Sequence, residues 1–363
     1  HMYVVQNRQL HFMRGVPFGS EMFVRAIADG AGVDLDTATT FLSSEGTSVD
    51  ETGTLQIRTE GAIASLPLTS ELEKLTRRFV TEILIWGLLA MSSDILIGYT
   101  GMVSFGHSAF FGIGAYASLV LLKKYDLSPW VGMMIGGGLS VAVAVAVGYP
   151  VFKLKGHYFA ISTFAVAEIF ERLFNNWDYV EGAIGLPAPV LPEGLINFMW
   201  YKTKMPYFYI AFVLFLLVLL LAYKIDRSRM GFYFRAIKQS HEAAEGLGID
   251  TSRYKMLAMM ISAFLTAVCG AFYAQYILYI DPPSVLSLDI SIKIVLIAVL
   301  GGAGTIIGPI LGAAILIPLS EYSRILLGGT GKGVDLIVFG ALILIISVFQ
   351  PQGVAGFFKK AGK

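Results

Sequence analysis

Long apolar stretches begin near residue 79 and recur toward the end of the chain, separated by short polar segments. A helix that crosses a bilayer needs about 20 mostly apolar residues, whereas a lone strand would leave unpaired backbone groups in lipid. We therefore predict an all-α fold, a bundle of membrane-spanning helices. The predicted spans are Phe79–Gly98, Met102–Leu122, Trp130–Phe152, Tyr158–Phe174, Tyr207–Ile225, Met256–Leu278, Ile290–Leu319 and Val334–Phe349.

Two of these stretches are rich in glycine, which weakens a helix by about 1 kcal/mol per residue relative to alanine. Ile290–Leu319 is too long for one untilted span, and we interpret it as a half-helix, a glycine turn and a full helix. The structural glycines of that turn are Gly301, Gly302, Gly304 and Gly308. Gly98–Gly114 holds five glycines, and we predict that it is broken or re-entrant and contributes to a pathway, since irregular backbone at membrane depth lines protein or a cavity.

The first part of the chain differs from the rest. Residues 1–75 have an ordinary soluble composition, weak helical periodicity and a polar stretch at Ser43–Thr59. We predict a separate N-terminal extension of unknown role, a membrane domain over residues 76–355 and a short tail over residues 356–363.

Composition excludes several classes of function. Charged residues make up 15% of the chain, against about 25% in soluble domains, and the net charge of +1 gives no sign of nucleic-acid binding. Cys269 is the one cysteine, so no intramolecular disulfide can form. The five histidines are scattered without metal-ligand spacing.

Loop charges predict the orientation, because cytoplasmic loops are enriched in Lys and Arg. Lys224–Lys255 is the most basic loop and the C-terminal tail is also basic, whereas Asn175–Glu193 carries acidic residues with no Lys or Arg. We place the first two inside and the third outside. Counting crossings back then puts Lys74, Arg77 and Arg78 outside, against the rule, unless Gly98–Gly114 is re-entrant or broken.

Polar residues at membrane depth are candidates for a translocation pathway. They are Ser104, His107, Ser108, Tyr158, Ser162, Thr163 and Glu168. Each has a simpler alternative. His107 can fix packing through an interhelical hydrogen bond, Ser162 and Thr163 can bond backbone carbonyls one turn back, and Glu168 can pair with Arg172 at i+4.

The basic loop predicts a short amphipathic helix that ends at a glycine. Its apolar residues Phe234, Ile237 and Ala244 are flanked by charges, a pattern that suits a groove on a partner protein. A solvated basic loop is the alternative.

Neither glycine motif of the C-terminal part predicts a nucleotide site. Gly301–Gly304 lies in apolar flanks with no βαβ unit to follow. Gly331-Lys332 is followed by Gly333 rather than Ser or Thr, and Leu326 occupies the position of the first glycine of a P-loop. We therefore predict no cofactor bound by this chain.

Four motifs together resemble the permeases of branched-chain amino-acid ABC importers, the LivM-type subunit, over roughly residues 79–355. They are GYTGMVSFGHSAFFGIGAY, LKGHYFAISTFAVAEIFERLFNNW, RAIKQSHEAAEGLGIDTSRYKMLA and LGGAGTIIGPILGA, in that order. The resemblance implies a fold like that of type II ABC importers, a multi-pass location in the bacterial inner membrane and no enzyme activity of its own.

The resemblance also implies partners. They are cytoplasmic ABC ATPase subunits that bind ATP, a second permease subunit that is identical or LivH-type, and a periplasmic solute-binding protein. The third motif is similar to the loop of importer permeases that docks on the ATPase. The implied coupling residues are Arg235, Ala236, Glu242, Ala243, Ala244 and Gly248.

The sequence departs from the family pattern at two positions. Met102 stands where Gln is common, and Asp94 stands where Asn is common. Relatives carry branched-chain amino acids, urea, short amides and carboxylates, so the resemblance implies a branched-chain amino acid or a related small polar solute.

Two other classes of function compete with an ABC permease. An ion-coupled secondary transporter could use Glu168 and Asp94 as coupling carboxylates, but it would leave Arg235–Gly248 without a purpose, and the spans show no inverted repeat. A membrane-embedded enzyme would need a catalytic pair, for which His107 and Glu168 are the candidates.

Overall fold

The computed structural model describes residues 2–6, 9–13, 47–49, 54–59, 62–154, 156–200, 204–326, 340 and 353–356, with side chains described from residue 77 and not for 321–326. The chain divides into two compact units. One comprises His1–Val80 and Leu319–Asp335, and the other comprises Thr81–Pro318 and Leu336–Lys363. The first unit takes in a segment near the C-terminal end that the predicted boundary at residue 75 did not include.

The first unit contains an antiparallel sheet in which each strand pairs with the next along the chain. The strands are β1 (Met2–Gln6), β2 (Gln9–Met13), β3 (Thr47–Val49), β4 (Thr54–Thr59) and β5 (Ala62–Pro67). The longest register runs from Thr54 opposite Pro67 to Thr59 opposite Ala62. These strands were not predicted, because strands of three to six residues are too short for a clear apolar alternation. The periodic stretch at residues 21–42 lies outside the described residues.

The rest of the described chain is mainly helical, and a helix overlaps each predicted span up to Leu319. The helices are α1 (Leu68–Thr100), α2 (His107–Tyr125), α3 (Pro129–Val151), α4 (His157–Asn175), α5 (Met205–Asp226), α6 (Arg229–Gln239), α7 (His241–Gly246), α8 (Thr251–Ile277), α9 (Pro282–Leu286), α10 (Leu288–Gly301) and α11 (Gly308–Leu326). Among the described residues, five helices are long and apolar enough to cross a membrane. The helices over the predicted spans Met102–Leu122 and Tyr158–Phe174 are not among these five. The predicted span Val334–Phe349 lies outside the described residues, apart from Gly340.

Short segments join the helices. Between α4 and α5 the chain forms two 3-10 turns, Asp178–Val180 and Gly182–Ile184, and the strand β6 (Leu186–Pro187), which pairs with β7 (Tyr279–Ile280). We call the end of the bundle that holds residues 175–200 the far end. The end that holds residues 226–254 is the loop end.

Close approach of α2 to α3 and α8 forms the centre of the bundle. A side chain on Gly114 would collide with the backbone of Ala267, and one on Gly270 with the backbone carbonyl of Phe111. Gly136 lies against the backbone of Gly114. Small residues therefore let these helix backbones meet, as they do in membrane bundles generally.

Both predicted helix interruptions are present. Residues 101–106 are non-helical between α1 and α2, and residues 302–307 are non-helical between α10 and α11. The first interruption lies at the loop end, where Gly101 packs against Lys238 of α6. The stretch Gly98–Gly114 is thus broken at residues 101–106, and the orientation of Lys74, Arg77 and Arg78 stays a prediction.

Candidate functional site

The coupling segment, residues 226–254, forms two short helices rather than the single helix predicted. Ser228 begins α6, and its hydroxyl accepts a hydrogen bond from the Gly231 amide. Ser240 separates the helices and caps α7 by accepting from the amide of Ala243. Serine is a favoured N-cap because its oxygen satisfies a helix amide that has no partner within the helix.

The apolar face of the coupling segment packs against the bundle itself. Phe234 and Ala244 are buried, and Phe234 packs in a cluster with Tyr99, Ile225 and Met259. The prediction that Phe234, Ile237 and Ala244 fit a groove on a partner was wrong. Their burial anchors the segment to the membrane domain instead.

The outward face of the coupling segment carries the other predicted coupling residues. Glu242, Ala243 and Gly248 are exposed, and Ala236 is half-buried. Gly248 adopts a left-handed φ of +83°, which L side chains rarely adopt. Leu247 is 81% exposed beside them, and it was not predicted as a functional residue because it follows no helical period.

Arg235 fastens the coupling segment to the preceding helix. Its guanidinium pairs with the carboxylate of Asp226 at the end of α5 and donates to the Asp226 carbonyl oxygen at 3.0 Å. Such two-point contacts fix geometry better than a single lysine contact would. The motion of α6 is thereby tied to the end of α5.

The predicted pathway residues around His107 form a buried polar cluster between helices. His107 Nε2 lies 2.8 Å from the hydroxyl of Ser262 on α8, and Nδ1 lies 3.4 Å from the Ser104 carbonyl oxygen. The Ser108 amide donates to Ser291 on α10 at 2.9 Å. The amide of Phe105 donates to Thr163 on α4 at 3.1 Å. Two of these contacts link α2 to α8 and α10, and another joins the segment before α2 to α4. A role in solute contact stays a prediction.

Replacing Ser262 by Ala tests the packing role of this cluster. The change leaves a buried His107 nitrogen without its partner, which costs about 1–3 kcal/mol, and should lower the thermal unfolding midpoint of the purified protein by several degrees. Ser252→Ala on the exposed start of the same helix is the matched control. Equal midpoints for the two variants would contradict a structural role.

The remaining pathway candidates lie on one exposed side of α4. Tyr158 is exposed and Ser162 is half-buried. Glu168 forms the i+4 ion pair with Arg172, at 2.6 Å. The simpler interpretation of Glu168 is thus confirmed, since its carboxylate has a partner on its own helix. Solute contact by these residues stays a prediction.

The glycine turn between α10 and α11 is tight. Gly302 and Gly304 have left-handed φ values of +119° and +82°, and side chains on Gly301 or Gly308 would collide with backbone atoms of the turn. The turn is held from α1 by Asp94, whose two carboxylate oxygens each lie 3.0 Å from the Gly304 amide nitrogen.

A cavity of about 670 Å³ opens at the loop end between three segments. They are the end of α1 with residues 101–103, the turn before α4 and the coupling segment. Its walls include Met102, Phe159 and Ile237 as well as charged residues such as Lys153 and Glu242. The coupling segment therefore borders open space next to the start of α4.

Comparison with known proteins identifies the family. Residues 75–347 match the model of the family described as branched-chain amino acid transport system / permease component. The permease protein LivM of the high-affinity branched-chain amino acid transport system of Salmonella typhimurium is 28% identical over 302 residues, which is 75% of this chain and 68% of that protein. LivH of Escherichia coli strain K12 is 30% identical over 291 residues, which is 75% of this chain and 91% of that protein.

Among solved structures, PsaBC from Streptococcus pneumoniae in complex with Fab covers 81% of this chain and 98% of its own, with 14% identity and a TM-score of 0.42. The family match extends over the whole described helical bundle up to α11, including both glycine interruptions and the coupling segment. Together with its apolar helices, this match shows a multi-pass membrane protein: the chain belongs to the permease components of branched-chain amino acid transport systems, the membrane subunits of ABC transporters.

Proposed function

We propose that this chain is an inner-membrane subunit that forms the translocation pathway of an ATP-driven importer for branched-chain amino acids or a related small polar solute. The observation that carries the proposal is the coupling segment. It is anchored by Phe234 and Arg235 and presents Glu242 and Leu247 outward. The names of the LivM and LivH relatives supply the solute class.

A cytoplasmic ATPase is the partner that suits the coupling segment. ATP is bound by that partner, since the sequence of this chain contains no P-loop. Closure of the ATPase dimer would move α7 with Glu242 and Leu247, and α6 would follow because Ser240 alone separates the two helices. The spans that line the pathway would then alternate between outward- and inward-open arrangements.

A second permease subunit would cover the exposed side of α4. Ile161 and Ile169 are more than 60% exposed there, next to the polar Ser162 and the Glu168–Arg172 pair. Polar groups at membrane depth face protein or a water-filled path rather than lipid. The solute pathway would therefore run between this side of α4 and the partner permease.

The far end suits a periplasmic solute-binding protein. Its loop exposes Ile184, Val190 and Ile196 by 76–88%, and it carries Asp178 and Glu181 close to them in sequence. An apolar patch with a polar rim is typical of protein interfaces.

Affinity purification of the chain from its native membranes tests the proposed function. A P-loop ATPase should co-purify in stoichiometric amount. Leu247→Asp places a charge in the outward face, and loss of such an interface anchor costs about 2 kcal/mol or more, so the ATPase yield should fall at least tenfold. Val190→Asp is the matched control, because Val190 is an apolar residue about as exposed as Leu247 but lies at the far end. This variant should retain the ATPase.

The contrary outcome would favour a secondary transporter. In that case no ATPase co-purifies with the unaltered chain, and uptake collapses when the proton gradient is dissipated. The Glu168–Arg172 pair argues against this alternative, because a coupling carboxylate must exchange its ion during transport.

A further inference from the structure

One side chain of the coupling segment reaches into the membrane domain. Lys238, near the end of α6, donates from Nζ to the carbonyl oxygen of Gly98 at 2.7 Å. The same nitrogen lies 3.5 Å from the carbonyl oxygen of Ala303. A single ammonium group therefore contacts the end of α1 and the glycine turn after α10.

Both carbonyls are places where a cation is favoured. The last four carbonyls of a helix have no amide partner within it, and α1 ends at Thr100, two residues after Gly98. Ala303 follows directly on Gly302, the C-cap of α10. Helix C-termini carry partial negative charge, and an ammonium has three donors with which to satisfy such carbonyls.

Asp94 joins the same junction from α1. Its side chain is buried and accepts from the Gly304 amide. Asp94 thereby holds, from α1, the same glycine turn whose Ala303 carbonyl Lys238 contacts. We call the group of Asp94, Gly98, Lys238, Ala303 and Gly304 the Lys238 junction.

Glycines make the junction possible. A side chain on Gly98 would collide with the carboxylate of Asp94 and the Gly304 amide, and a Cβ on Gly101 would lie 3.2 Å from Lys238 Cγ. The close approach at Gly98 and Gly101 therefore leaves little room for a larger residue at either position.

We propose that Lys238 is the positioning residue that transmits movement of the coupling segment to α1 and to the glycine turn. The inference rests on the proposed function. The apolar contacts of α6, such as that of Phe234, are non-directional and allow sliding. The Lys238 bonds are directional and join two helix ends, so a displacement of α6 pulls both together.

Uptake per ATP hydrolysed, measured with the complete importer in proteoliposomes, tests this role. Lys238→Met keeps the length of the side chain and removes its donors, and we expect about a tenfold lower ratio, the loss typical of a charged hydrogen bond. The amount of ATPase that co-purifies should not change. Lys238→Arg, which keeps donors, should restore most of the ratio.

Lys224→Met is the matched control, since Lys224 is an exposed lysine at the end of α5 outside the junction. A ratio for Lys238→Met equal to that of Lys224→Met would overturn the proposal. Absence of any ATPase with the unaltered chain would instead overturn the proposed function, so the two failures are distinguishable.

Asp94→Asn provides a second test that does not depend on the folding of Lys238→Met. Asparagine replaces one of the two carboxylate oxygens that lie 3.0 Å from the Gly304 amide nitrogen by a group that cannot accept a hydrogen bond. The glycine turn is then held less firmly to α1, so we expect a reduced ratio with unchanged ATPase yield. If Lys238→Met and Asp94→Asn both fold, the double variant should lose less of the uptake ratio than the product of the two single losses. Residues that act as one unit have free-energy effects that do not add. A normal ratio for Asp94→Asn, or fully multiplicative losses, would contradict the junction.

Discussion

An importer that carries Glu242→Ala together with Gly248→Val should still hydrolyse ATP but import much less solute for each ATP that it hydrolyses. Glu242 lies on the outward face of the coupling segment, and Gly248 sets the direction in which the chain leaves α7 through its φ of +83°. A branched residue strains that conformation, although a side chain at Gly248 would meet no other atom within 4 Å. The expected defect therefore lies in the path of the loop and not in the packing of the bundle.

The size of this effect follows from the coupling free energy between two sites, which is typically 1–3 kcal/mol, or about 5–150-fold. We expect uptake per ATP hydrolysed to fall by about that factor in proteoliposomes, with expression intact. Gly246→Ala, at an exposed helical glycine with open space around it, is the matched control. Unchanged coupling in the double variant would contradict the assignment of this face to the ATPase.

Replacing Gly270 by Val should abolish the folded membrane domain. The backbone of α8 meets the carbonyl of Phe111 on α2 at this position, so any side chain must push two helices apart. Overpacking against side chains costs about 1–3 kcal/mol, and a clash with backbone is worse because backbone cannot change rotamer. Separation of α2 from α8 would also break the His107–Ser262 contact.

The measurement is the fraction of monodisperse protein after size-exclusion chromatography in detergent, together with its thermal unfolding midpoint. Gly138→Ala on α3 is the matched control. A side chain there meets nothing within 4 Å, and alanine is favoured over glycine in a helix by up to about 1 kcal/mol. If Gly270→Val behaves like Gly138→Ala, the close approach of α2 and α8 is not required for folding.

The interruption after α10 could be predicted from the sequence, but the residue that holds it could not. Ile290–Leu319 is too long for one span and contains three glycines within residues 301–304, and the break appears at residues 302–307. Span length and glycine propensity are local properties, so they are visible in the sequence. The role of Asp94 in holding that turn is not, because more than 200 residues separate Asp94 from Gly304.

The packing of the coupling segment could not be predicted from the sequence. Its apolar residues indicate a buried face, but the pattern cannot tell burial against a partner from burial against the same chain. Phe234 lies in one buried cluster with Tyr99 and Ile225. Glu242 and Leu247 are exposed on the opposite, outward face. Lys238 looks like one more basic loop residue in the sequence, and only its distance to Gly98 distinguishes it.

The sequence by itself determined the helical membrane bundle, the two interruptions and the family, because hydrophobic length, glycine content and motif order are properties of short stretches. Tertiary structure decided which residues act together. It brought His107 to Ser262 and Lys238 to the ends of two helices, and it turned Phe234 inward. Such contacts depend on helix packing between distant segments, and this packing is set by the whole bundle.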